Sequence, residues 1–70
     1  MKKYRIKLDN TLLYIKCVFI SPEGFEMGLA FGDDEIGIFE EDKAKVYCNG
    51  LNDNKKYKEV NMHFSLEPVK

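Results

Sequence analysis

The hydrophobic period of this chain departs from two in one stretch only. In "EEDKAKVYCNGL", residues 40–51, Ala44, Tyr47, Cys48 and Leu51 fall at i, i+3, i+4 and i+7. That spacing is one face of a helix of about three turns. Glu40, Glu41 and Asp42 stand in its first turn, where the helix dipole favours acids, and "NG" at 49 and 50 predicts a left-handed stop. Elsewhere apolar residues alternate with period two, as in half-buried strands. Residues 2–8, "KKYRIKL", set Tyr4, Ile6 and Leu8 against Lys3, Arg5 and Lys7. Residues 12–20, "LLYIKCVFI", set Leu13, Ile15, Cys17 and Phe19 against Leu12, Tyr14, Lys16, Val18 and Ile20. After the turn "SPEG", Phe25, Met27, Leu29 and Phe31 share one face opposite the small residues Gly28, Ala30 and Gly32. "GDDE" leads into a short fourth strand, "IGIF", and "NDNKK" loops out after the helix. The last strand runs to Pro68, with Val60, Met62, Phe64 and Leu66 inward and Asn61, His63 and Ser65 outward.

The predicted order is β-β-β-β-α-β, an α+β fold: a small antiparallel sheet with one helix before the last strand. A five-stranded SH3-like barrel is the alternative. The chain reads as a single domain, residues 1–70, with no repeat or linker. A chain of this size buries only about 60% of the surface it exposes when unfolded, so stability is marginal. No disulfide is expected to add to it. The two cysteines, Cys17 and Cys48, follow a start with no apolar leader core, which points to a cytoplasmic, reducing location. The longest apolar run, "CVFI", is far too short for a membrane span.

Charge is segregated although the net value is only −1. Residues 1–16 carry five cations against one acid, whereas residues 17–42 carry eight acids and neither Lys nor Arg. Asp33, Asp34, Glu35, Glu40, Glu41 and Asp42 form the densest group. An EF-hand loop counted from Asp33 would need glycine at its sixth position, where Ile38 stands. Turn formation and helix capping account for these acids; as a surface, they suit a protein partner with basic character. The outward cations Lys3, Arg5, Lys7 and Lys16, with Tyr14 and His63, form the alternative candidate, a nucleic-acid face. Only Tyr14 could stack on bases there, and the net charge is negative, which weighs against it.

Catalysis has no motif to carry it. Cys17, Cys48 and His63 lie on three separate elements without a C-x-x-C pair, so no zinc site is expected, and both cysteines read as core. No glycine pattern cradles phosphate and no cofactor is implied. Leu12, Tyr14, Val18 and Ile20 make one face of the second strand apolar except for Lys16, and one helix covers only one face of a sheet. A two-fold homodimer burying that patch is therefore expected.

The Lys- and Asn-rich composition, with "MKKYRIKL" opening a hairpin and "FEEDKAKVY" opening a late helix, resembles small accessory proteins of phages and prophages of low-GC bacteria. The resemblance implies a stoichiometric binder, often an inhibitor of a host or defence enzyme of the anti-CRISPR kind. It carries no functional residue across to this chain.

Overall fold

The structure, a computed structural model, describes residues 2–70 and has the expected α+β order without a closed barrel. The elements are β1 (Lys3–Leu8), β2 (Ile15–Ser21), β3 (Gly24–Leu29), a 3-10 turn (Asp33–Glu35), β4 (Phe39–Glu40), α1 (Glu41–Asp53), α2 (Lys55–Glu59) and β5 (Phe64–Val69). One sheet has the order β4-β1-β5 and the hairpin β2-β3 forms another, all pairs antiparallel. A single bridge, Lys7 to Tyr14, joins the two.

The sheets separate because two segments share one edge of β1. Its start pairs with Phe39 and Glu40, and its end with the approach to β2, where the Leu8 N–H donates to the Leu13 carbonyl at 3.0 Å. Between them Gly37 donates to the Ile15 carbonyl at 3.0 Å. A Cβ on Gly37 would overlap the Lys16 carbonyl, so only glycine lets the chain wedge in here. Directly after Ile15 the β2-β3 register slips by one residue. A bulge reverses which side chains face inward. Val18 therefore joins Ile15 against the core, while Cys17, expected in the core, is exposed beside Gly28. The expected face of Leu12, Tyr14, Val18 and Ile20 is divided accordingly.

Helix α1 buries Ala44, Cys48 and Leu51 against Ile6, Leu8, Ile15 and Phe64. Tyr47 stands between Phe25 and Phe39, edge to face at 5.9 and 5.5 Å. The expected stop at Asn49 and Gly50 does not occur, and the helix runs on to Asp53. Gly50 serves packing instead: the Phe25 ring occupies the space a Cβ would take. The expected loop "NDNKK" is a sharp helix-to-helix corner at Asn54. Its side chain accepts from the Lys56 N–H at 2.9 Å and donates to the Phe25 carbonyl at 2.8 Å. Two further expectations fail nearby. Val60 is exposed in the turn after α2, and Pro68 lies inside β5, opposite Tyr4. Proline is tolerated there because β5 is an edge strand.

Gly50 yields a sign test. Helix propensity alone would make Gly50→Ala stabilising by roughly 1 kcal/mol. Displacing the Phe25 ring should instead give a net loss of about 1–3 kcal/mol in urea denaturation. A more stable variant would show that Phe25 has no need of the groove.

Candidate functional site

One end of the molecule brings together two loops that the sequence keeps apart. The β1-β2 connection is held by Thr11, whose hydroxyl donates to the Leu8 carbonyl at 2.6 Å and accepts from the Leu13 N–H at 2.9 Å. Asn10 takes a left-handed φ of 64° to make the turn. Leu12 is thereby held outward, 91% exposed. The segment after β3 closes on itself: the Glu35 carboxylate accepts from the Phe31 N–H at 3.1 Å, and the Glu35 N–H donates to Gly32 at 2.9 Å. Phe31 is 88% exposed, not inward as the alternation of its strand suggests. The Ala30 N–H donates to the Tyr14 carbonyl at 2.9 Å, joining the loops. Between them lies a hollow of about 200 Å³ lined by Leu12, Leu13, Tyr14, Phe31, Asp33 and Ile36, among others. An exposed apolar knob edged by Asp33, Asp34 and Glu35 is the result.

The six acids of the sequence do not form one surface. Asp33, Asp34 and Glu35 border this knob, whereas Glu40, Glu41 and Asp42 stand beside the start of β1 with Lys2. From Lys3 to Lys7 the strand separates the groups by roughly 13 Å. Glu41 is engaged locally, accepting from the Tyr4 hydroxyl at 3.2 Å and lying 3.8 Å from Lys45.

On the outer sheet face Arg5 and His63 are matched to carboxylates, whereas among the described residues Lys3, Lys7 and Lys16 enter no ion pair. Tyr14 donates to Glu67 at 2.8 Å, Arg5 lies 3.4 Å from the same carboxylate, and the Arg5 guanidinium sits 5.3 Å over the Tyr14 ring. The Glu67 hydrogen bond, with burial second, raises the Tyr14 hydroxyl above its ordinary pKa. The one aromatic that could stack on a base already has Arg5 on its face. His63 and Ser65 both contact the Asp9 carboxylate. Lys7 lies beside this group, opposite Ser65, whereas Lys3 stands at the other end of β1, opposite Val69, and Lys16 faces elsewhere. It lines, with Cys17, Val18, Phe39, Lys43 and Tyr47 among others, a cleft of about 410 Å³ where β2 diverges from β4. Among the described residues no three of His, Cys, Asp and Glu cluster as a metal site requires, and no helix is long and apolar enough to cross a membrane. Burial raises the Cys48 thiol pKa. Leu13, Phe31 and Ile36 are the site residues that sequence reasoning missed.

Comparison with protein-family models, with curated proteins and with solved structures finds no match.

The hydrogen bond from Ser65, then that from His63, holds the Asp9 carboxyl below its ordinary pKa. A depressed carboxyl contributes stability that is present above the unfolded value of about 3.9 and is lost as pH falls through the lower folded value. Asp9→Asn should therefore reduce stability at neutral pH and flatten the acid limb below about pH 4 in denaturation curves taken across pH. An acid limb of unchanged slope would assign that loss to other carboxylates.

Proposed function

We propose that this chain is a non-catalytic protein-interaction module that engages a partner through the Leu12–Phe31 knob and its rim of Asp33, Asp34 and Glu35. The observation that supports this reading is the rigid presentation of two nearly fully exposed large apolar side chains by hydrogen-bonded loops. Leaving a Leu or Phe in water forgoes roughly 1.5–3 kcal/mol each, a large fraction of what a 70-residue domain has to spare. The partner is a protein with an apolar recess bordered by basic residues. Burial of the knob supplies affinity, and the carboxylates supply orientation and association rate. Action as a stoichiometric inhibitor of a host or defence enzyme, in the manner of phage accessory proteins, is the form this binding takes.

The test compares baits in a native lysate. Wild type should capture a protein that the double variant Leu12→Ser/Phe31→Ser loses by roughly tenfold or more, the change expected from about 1.4 kcal/mol. Both side chains are exposed, so circular dichroism should show the fold retained. Asp33→Lys/Asp34→Lys should slow association with that partner, whereas Glu40→Lys/Asp42→Lys should leave it unchanged. Capture that is indifferent to Leu12 and Phe31 for every bound protein overturns the reading.

A further inference from the structure

A second surface, independent of the knob, is defined by backbone chemistry. Every open strand edge carries unpaired N–H and C=O groups, and proteins cover or interrupt them. Here two edges are managed by the helices. On β5, Asn52 donates to the Phe64 carbonyl at 2.9 Å and accepts from the Phe64 N–H at 2.8 Å, and Pro68 has no N–H to offer. On β3, the Phe25 carbonyl accepts from Asn54 at 2.8 Å and the Met27 N–H donates to the Tyr57 hydroxyl at 3.1 Å.

Besides the edge of the two-residue β4, there remains that of β2, which is open. Because Phe25 and Met27 direct these groups away from β2, their pairs with Ile20 and Val18 are the non-hydrogen-bonded kind. The N–H and C=O of Val18 and Ile20 accordingly point away from β3. The chain wedged in at Gly37 satisfies Ile15 and goes no further. Beyond it β2 borders the open cleft, and among the described residues neither Val18 nor Ile20 has a partner on this edge. Residues 17–21, "CVFIS", include no charge and no proline to discourage pairing, and Phe19 and Ile20 are 49% and 79% exposed.

We propose that two copies of this chain associate by antiparallel pairing of their β2 edges across a two-fold axis at Phe19. This register lets Val18 exchange both main-chain hydrogen bonds with the partner's Ile20, and Ile20 with the partner's Val18. An axis at Ile20 would instead set Val18 against Pro22, which lacks the donor. With the axis at Phe19, the two Phe19 rings meet in a non-hydrogen-bonded pair, where side chains come closest. Each hairpin tip then reaches the other copy's cleft where the chain at Gly37 closes the β2 edge, bringing the partner's Glu23 toward Lys16, with Lys43 on the cleft's far wall. The tip carboxylate thus meets Lys16 and Lys43, which outnumber the one acid of the cleft, Glu40, and does so twice, by symmetry.

The experiment is sedimentation across a concentration series, with variants that spare the hairpin. Wild type should reach dimer mass. Ile20→Pro removes an N–H that β3 does not use, and Phe19→Lys adds charge at the axis; each should weaken dimerisation by roughly tenfold or more. In a Cys17→Ser background, Phe19→Cys places the two thiols within disulfide reach and should cross-link under mild oxidation, while exposed Val60→Cys should not. Monomer mass at every concentration overturns the proposal. So does undiminished dimerisation of Phe19→Lys, or equal cross-linking through positions 19 and 60.

Discussion

Strand β1 gives one edge to β5 and divides the other between Phe39–Glu40 at its start and Leu13–Tyr14 at its end. A strand of six residues cannot carry two full neighbours on one edge, so each is truncated. β4 shrinks to two residues, and β2 leaves β1 at Ile15. The bulge at Lys16 follows from that departure, since the diverging strand must still turn Val18 onto the core. The cleft, the exposure of Cys17 and the open β2 edge are consequences of the same sharing.

The helical segment repairs what the divided sheet leaves undone. Asn52 and Asn54 have a donor and an acceptor on one short side chain, so each can satisfy a strand edge while bonding a second group or both groups of one residue. Tyr57 does the same with its hydroxyl while its ring packs edge to face on Phe64 at 5.5 Å. The corner at Asn54 is what lets one helical run serve two edges. A continuous helix would carry Tyr57 past β3. Polar bonding and core packing are thus supplied together by residues 52–57, which explains why Asn54 is buried at 3% exposure in so small a domain.

Periodicity made the architecture legible. Four period-two stretches, the short "IGIF" and one helical stretch suffice for the order of elements and for the core residues Ile6, Leu8, Ile15, Cys48, Leu51 and Phe64. What alternation cannot express is a change of phase. The bulge moved Cys17 outward and Val18 inward, and no local residue choice in "YIKCVF" announces it, because the cause is the distant wedge at Gly37. Gly50 misled for a related reason: next to asparagine it has the form of a helix stop, and its use depends on Phe25, twenty-five residues away. At the candidate site the acids were visible but their grouping was not. Phe31 reads as inward because it continues the pattern of Phe25, Met27 and Leu29, yet β3 ends at Leu29.

The three most exposed large apolar residues lie at opposite ends of the β2-β3 hairpin: Leu12 and Phe31 at its base, Ile20 near its tip. Marginal stability gives that distribution a thermodynamic meaning. A ligand that binds only the folded chain stabilises it by RT ln(1 + [L]/Kd), about 2.7 kcal/mol at a hundredfold excess over Kd. For a domain whose own core supplies only about 3–5 kcal/mol, that increment is of the order of the whole. The folded population, and with it resistance to proteolysis, is then tied to occupancy. A partner covering the apolar surface that this fold leaves exposed would therefore couple the chain's persistence to occupancy, an effect that a larger, better buried domain would scarcely register.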